Sequence, residues 1–300
     1  MKKKVLIVGG TGFIGYHLIK NFKKKYEIIS LSVNKNTQNK IKGIKYIFFD
    51  FTKKKNLKIL DNYFFDYVIN LGGYVDHFNK KKTTDNQYLG VKNLLNYLIK
   101  KQIKSFIQIG SSAEYGITKS PQREKSKCKP KLIYGKAKFQ ATKYVQKISR
   151  KKLVTGIILR LYQVYGPMQP NNRFLPTVIN KCLNNKNYLC HEKGVCRDFL
   201  YIDDFIVLIN RILNKKKINN YAGQIFNVGF GKPIDLNIVA KKIELECKGG
   251  KQLKKKAKLR IDEPKVIFPD ISRVKKVFNW KPKVTFKIGL RKTIEYYRNV

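Results

Sequence analysis

Through the first 160 residues, short runs of β-branched and aromatic residues alternate with stretches whose apolar positions recur every three or four residues. The short runs predict strands at Val5–Val8, Glu27–Leu31, Lys45–Phe49, Tyr67–Leu71, Phe106–Ile109 and Val154–Leu161. Between them, Ile14–Phe22, Asn86–Lys101 and Tyr134–Arg150 carry helical periodicity. Strands and helices in that rhythm imply an α/β architecture, a parallel sheet with crossover helices. After Gly166-Pro167 the alternation weakens and Pro170-Asn171-Asn172 supplies turn formers, which marks a change of domain. A last strand, Gln224–Val228, is expected to return to the sheet. The expected organisation is a sheet domain over residues 1–166 with a return segment at about 197–228, and a smaller lobe over 167–196 and 229–300.

Composition narrows the picture only a little. With 300 residues and 43% apolar content the chain can bury a real core, which excludes a disordered or peptide-like protein. The five cysteines (Cys128, Cys182, Cys190, Cys196, Cys247) are odd in number and form no C-x-x-C pair, so neither a disulfide framework nor a structural zinc is expected. A reducing, cytoplasmic location suits them. Lys2-Lys3-Lys4 before Val5-Leu6-Ile7-Val8 imitates a secretory leader, but glycines end the apolar run at once and no membrane span is expected.

The formal charge of +46 changes the question more than the answer. Alone it suggests a polyanion. Yet the lysine clusters at 2–4, 23–25, 53–55, 80–82, 215–217 and 254–256 are scattered over the ends of elements rather than gathered on one stripe. A nucleic-acid partner is therefore not expected, although a general positive field would still draw in a diphosphate.

Directly after the first predicted strand comes Gly9-Gly10-Thr11-Gly12-Phe13-Ile14-Gly15, and then a helix. That context is the one a dinucleotide fingerprint requires. Gly9 permits the tight turn, Gly12 lets backbone amides approach a pyrophosphate, and Gly15 lets the helix pack on the sheet. The first helical residues, Phe13 and Ile14, bring the positive end of the helix dipole to the phosphates. An acid at the end of the second strand would bind the adenosine ribose and favour NAD. Ser32 stands there instead, with Lys35 just beyond, so NADP is slightly favoured over NAD. Asp50 and Phe51 are placed to meet the adenine, and Leu71-Gly72-Gly73 lets the backbone pass close to the cofactor.

Tyr134 and Lys138 are four residues apart, hence on one face of a helix, while Lys136 points elsewhere. A tyrosine titrates near 10, so acting as a base near neutrality requires lowering that value by ~3 units, or about 4 kcal/mol. A nearby ammonium and an oxidised nicotinamide ring can supply stabilisation of that order in a partly dry site. Ser111, at the carboxyl end of the fifth strand, can hydrogen-bond the same substrate oxygen.

Taken together, the glycine loop, Ser111 and the Tyr134/Lys138 pair resemble the extended short-chain dehydrogenase/reductases, the NAD-dependent epimerase/dehydratase family. Leu159-Arg160-Leu161-Tyr162-Gln163-Val164-Tyr165-Gly166-Pro167, Arg197-Asp198-Phe199-Leu200-Tyr201-Ile202-Asp203-Asp204 and Trp280-Lys281-Pro282 resemble further segments of that family. The resemblance implies a Rossmann doubly wound parallel sheet with a smaller C-terminal substrate-binding lobe. It implies Ser111, Tyr134 and Lys138 as the catalytic set, with Lys138 also holding the nicotinamide ribose, and Gln87 as a cofactor contact where the family usually has asparagine. Arg173, Phe174, Arg197 and Arg260 would bind the sugar nucleotide, guanidinium forks suiting a diphosphate better than lysine does. A homodimer is implied as well.

The family's 4,6-dehydratases carry acidic residues just after the catalytic hydroxyl. Here Ser112 and Ala113 hold those places and Glu114 comes one step late, so a dehydratase is not expected. The expected function is hydride transfer at the hexose 4-position of a nucleotide-diphosphate sugar, by a 4-ketoreductase or a 4-epimerase. The alternative is a non-catalytic RNA-binding or redox-sensing member of the same superfamily.

Overall fold

The computed structural model describes residues 2–35, 37–73, 79–259 and 263–300. Contact clustering divides the chain into two compact units. The first comprises Met1–Gly116, Lys127–Leu161 and Ile209–Phe226, the second Ile117–Ser126, Tyr162–Leu208 and Asn227–Val300.

The first unit is built on strands β1 (Lys4–Val8), β2 (Glu27–Ser32), β3 (Lys45–Phe48), β4 (Tyr67–Asn70), β5 (Ser105–Ser111) and β6 (Gly156–Leu161). All pair in parallel, in the order β6-β5-β4-β1-β2-β3, and strand Gln224–Val228 lies beside β6. This is the doubly wound Rossmann order, which reverses direction between β1 and β4 and opens a crevice at the carboxyl ends of the strands there. Helix α1 (Phe13–Phe22) follows β1. On the sheet, Leu94, Leu95 and Leu98 pack with Ala141, Val145 and Ile148 over Leu6, Val68 and Phe106 in one apolar cluster.

Two of the element boundaries that differ from expectation bear on the site. The helix expected over Asn86–Lys101 starts earlier, as α2 (Lys80–Thr84), and runs through a π-helical turn (Asp85–Leu89) into α3 (Gly90–Ile99). Asn79 caps that start by accepting from Lys82 N–H at 2.9 Å, and the polar Lys80-Lys81-Lys82 run hid it from a periodicity argument. Strand β5 runs on to Ser111 because Gly110 and Ser111 still pair with Arg160 and Leu161 of β6. The strand thus carries its pairing up to the candidate serine. Helix α4 (Ile133–Arg150) follows as expected.

The second unit contains β7 (Gln163–Tyr165), α5 (Phe174–Leu183), β8 (Tyr188–Cys190) and β9 (Cys196–Tyr201). Helix α6 (Ile202–Leu213) and β10 (Gln224–Val228) each fall partly in either unit, and the second continues with β11 (Pro233–Asp235), α7 (Leu236–Cys247), β12 (Gln252–Lys256), β13 (Val266–Ile267), α8 (Ser272–Phe278) and α9 (Phe286–Arg298). Its sheet centres on β9, which pairs with β7, β11 and β13, while β8 pairs with β12. Tyr165, Phe199 and Phe286 form its aromatic core, with ring centroids 5.4–6.0 Å apart. Asp198 accepts from the backbone N–H groups of Phe230, Gly231 and Lys232 at 2.6–3.1 Å, fixing the loop after β10. Among the described residues no helix is long and apolar enough to cross a membrane.

Candidate active site

The glycine loop turns at Gly9, whose φ of +82° favours glycine and whose N–H donates to the Leu31 carbonyl at 2.7 Å. A Cβ on Gly15 would lie 2.3 Å from the Gly9 carbonyl oxygen, so the helix rides directly on the loop. At Gly12 an added Cβ would meet the Gly9 oxygen at 3.3 Å, a close contact but a looser one than at Gly15. No side chain caps α1 at Gly12 and no acid sits in its first turn. Open backbone amides at a helix N-terminus fit a pyrophosphate.

Around the loop, side chains behave less uniformly than the sequence implied. Ser32 is 3% exposed and its Oγ accepts from the N–H and Oγ1–H of Thr11 at 3.4 and 3.2 Å. Its hydroxyl braces the glycine loop instead of facing a ribose, while Lys35 is exposed. The Phe51 ring is a core residue, 2% exposed, against which Gly72 and Gly90 pack; it is too deep to stack on an adenine, so only its main chain is left for a ligand. Asp50 Oδ1 accepts from the N–H and hydroxyl of Thr52 at 2.9 and 2.7 Å.

The buried amide of Gln87, on the π-helical turn, packs against Gly73, where an added Cβ would lie 2.4 Å from it. Leu71 N–H donates to the Val8 carbonyl at 3.0 Å and Gly72 N–H to Asn70 Oδ1 at 3.1 Å. From there a buried chain continues: Asn70 Nδ2 donates to Gln108 Oε1 at 2.9 Å, and Gln108 Nε2 donates to the Ile109 carbonyl at 3.0 Å.

That same carbonyl receives Lys138. Its Nζ donates to Ile109 O at 2.9 Å and stands 5.9 Å from the centroid of the Tyr134 ring, one turn back on α4. Burial pushes the Lys138 ammonium down to about 8, and the Glu114 carboxylate opposes that shift. Ser111 ends β5 and caps the single 3₁₀ turn Ser112–Glu114, its Oγ accepting from Ala113 N–H at 3.2 Å. Gly135, next to Tyr134, meets this turn so closely that an added Cβ would lie 2.5 Å from the Ala113 carbonyl oxygen. Strand end, turn and helix thereby bring Ser111, Tyr134 and Lys138 onto one framework, with Lys136 exposed.

Two charged residues that sequence reasoning left without a role lie beneath them. Glu114 Oε1 accepts from Ser111 N–H at 2.9 Å, and Glu114 Oε2 accepts from Arg160 Nε at 2.8 Å. Their side chains are 0% and 1% exposed. The guanidinium also stands 4.5 Å from the centroid of the Tyr115 ring. Burial disfavours the guanidinium charge, but Glu114 and then Tyr115 outweigh it, and the proton is held more tightly than in a free arginine. The signal was available: an arginine inside the apolar run of β6 needs a buried counter-charge.

The expected substrate residues belong to the second unit. Arg173 is exposed at the N-cap of α5 and Phe174 is half-buried. Arg197 is buried and committed: its Nη2 donates to Glu263 Oε1 at 2.6 Å and its Nη1 to the carbonyls of Cys196 and Lys265 at 2.8 Å. This guanidinium is held as a structural tie rather than presented as a free diphosphate clamp. Arg260 lies outside the described residues. Among the described residues no cluster of His, Cys, Asp and Glu could hold a metal ion.

Comparison with known proteins bears on the family and the fold. The dTDP-D-glucose 4,6-dehydratase of Dictyostelium discoideum is 34% identical over 80% of this chain, and the chain spans 61% of that protein's length. The human dTDP-D-glucose 4,6-dehydratase is 27% identical over 99% of this chain and 90% of its own. The structure of UDP-glucose 4-epimerase with UDP-glucose from Thermotoga maritima superimposes with a TM-score of 0.90 at 22% identity, covering 99% of both chains, a likeness of fold. The profile of the NAD dependent epimerase/dehydratase family matches residues 5–229, three quarters of the chain and the whole glycine-loop and Ser-Tyr-Lys framework, and the chain belongs to that family.

Proposed function

We propose that the protein transfers a hydride at C4 of a nucleotide-diphosphate hexose, as a 4-epimerase or a 4-ketoreductase. The observation that carries this reading is the placing of Lys138 Nζ over the Tyr134 ring at 5.9 Å, next to the strand end that presents Ser111. Tyr134 would take the C4 hydroxyl proton, or return it to a C4 carbonyl oxygen. Ser111 would hold that oxygen through its hydroxyl, and the Lys138 ammonium would favour the phenolate form of Tyr134. A bound nicotinamide ring supplies the hydride acceptor or donor in this chemistry. The residues that would hold the cofactor are the amides of Phe13 to Gly15, the backbone of Leu71 to Gly73, and Lys138.

The names of the sequence relatives, dTDP-D-glucose 4,6-dehydratases, support a nucleotide-linked hexose as substrate and are compatible with chemistry at position 4. Against a dehydratase stands the local inventory. Ser112 and Ala113 cannot abstract or deliver the proton that loss of water needs, and Glu114 is fully buried against Arg160. Exposed Arg173 is the diphosphate contact this reading uses.

The adenosine end has no carboxylate at the close of β2 and an exposed Lys35, which supports acceptance of a 2′-phosphate and a slight preference for NADP. Fluorescence titration with NADH and NADPH tests that preference. By the same family resemblance the protein is taken as a cytoplasmic homodimer, which sedimentation at micromolar concentration tests. The function itself is tested by incubating the protein with UDP-glucose, dTDP-glucose and their 4-keto derivatives, following product stereochemistry by NMR. A 4,6-dehydrated product would replace this reading with a dehydratase.

A further inference from the structure

We propose that the buried Glu114–Arg160 pair is the positioning unit of the catalytic face, fixing the Ser111 turn and supplying the negative charge that keeps Lys138 an ammonium. The inference rests on the role proposed above for Lys138. Its basis is an unusual concentration of charge. Glu114 is completely enclosed, and each of its oxygens has one strong donor: Ser111 N–H at 2.9 Å and Arg160 Nε at 2.8 Å. Gly110 is small for the same reason, since a Cβ there would lie 2.4 Å from Glu114 Oε1.

Lys138 takes the carbonyl of Ile109 while Glu114 takes the amide of Ser111. Both charges are therefore anchored to the same end of β5, on either side of Gly110 in the sequence. Removing an ammonium from water is costly, and a buried carboxylate is the strongest available compensation. The titratable and charged groups gathered here are Tyr134 on α4, Glu114 on the 3₁₀ turn and Tyr115 just after it, Arg160 on β6 and Cys128 in the segment before α4. Of these, Glu114 is the carboxylate, tied to the same β5 end that holds Lys138.

Arg160 has a separate part. It neutralises Glu114 toward the rest of the core, and its plane lies over Tyr115. Without it the carboxylate would pay its own desolvation and take up a proton, and the compensation of Lys138 would be lost.

The test reads Lys138 directly in the protein without added ligand. Lysine labelled with 13C at Cε is titrated by NMR in wild type, E114Q and the double variant E114Q/R160M, with Lys138→Met assigning the resonance. The double variant is included because E114Q alone strands a buried arginine, whereas removing both charges can be neutral. Expected is a Lys138 midpoint at least tenfold lower in proton affinity in E114Q/R160M, with near-UV circular dichroism unchanged. The alkaline limb of turnover on UDP-glucose should move down by the same amount, with KM little altered. An unchanged Lys138 midpoint in the folded double variant overturns the proposal. Absence of turnover in wild type on every nucleotide sugar would remove the proposed function and leave this NMR outcome to be read on its own.

Discussion

Lys138 Nζ donates to the carbonyl oxygen of Ile109 at 2.9 Å, where Gln108 Nε2 also donates at 3.0 Å. One acceptor at the end of β5 thus joins Lys138 to the buried amides that reach the loop after β4. The lysine is held by the sheet rather than left to search for its position. Its neighbour Tyr134 needs only the helical repeat to stand within reach of the charge.

The burial of Lys138 has a measurable cost. Its folded-state value is lowered from 10.5 to about 8, chiefly by desolvation. Folding therefore expels a proton between these two values, and wild-type stability climbs as pH rises through that window. The full penalty, about 3 kcal/mol, is present below the lower value. Lys138→Met should lack the climb. Urea denaturation at pH ~7 should find the variant more stable by ~2 kcal/mol, after loss of a hydrogen bond contributing about 1 kcal/mol. Near pH ~10.5 the advantage should vanish. Turnover should be lost at either pH. A variant less stable than wild type at neutrality would contradict the assignment of Lys138 as a penalised ammonium.

Two glycines of the loop should separate binding from folding. Gly12 has φ −79° and ψ 170°, which any residue adopts, and an added Cβ would make one close contact, 3.3 Å to the Gly9 oxygen. Gly12→Ala should cost less stability than a change at Gly15 and lose dinucleotide affinity by tenfold or more, as measured by fluorescence titration. Gly15→Ala places its methyl 2.3 Å from the Gly9 oxygen and should instead lower stability by ~1–3 kcal/mol. Equal effects of the two on melting temperature would show that the loop is merely structural.

Much of this was readable from the chain. Strands β1, β2, β4 and β5 are apolar runs because both faces of a parallel sheet are covered, and the glycine loop is legible because its spacing follows from backbone geometry. Tyr134 and Lys138 followed from helical spacing. What escaped the sequence depends on where a side chain turns. The Phe51 ring goes to the core, the Ser32 hydroxyl goes to Thr11, and Arg197 goes to Glu263. None of these has a periodic signature. Glu114 looked like an acid one position out of register, and only its contacts with Ser111 and Arg160 give it a place.

The arginines of the second unit make contrasting predictions. Arg197→Ala breaks a pair with Glu263 and two carbonyl contacts, so it should cost ~2 kcal/mol of stability in a thermal melt. Arg173→Ala removes an exposed guanidinium and should leave the melt within ~0.5 kcal/mol while raising KM for a nucleotide sugar several-fold. A reversed pattern would mean that Arg197 releases Glu263 to bind substrate.

The most direct test is single-turnover hydride transfer in wild type and Tyr134→Phe, with UDP-glucose as the first probe and nicotinamide absorbance as the readout. Loss of the phenolic hydroxyl should slow turnover by ~10²–10⁴-fold. Dinucleotide affinity and melting temperature should stay unchanged. Transfer at an undiminished rate in the variant would contradict the assignment of Tyr134 as the group that moves the proton.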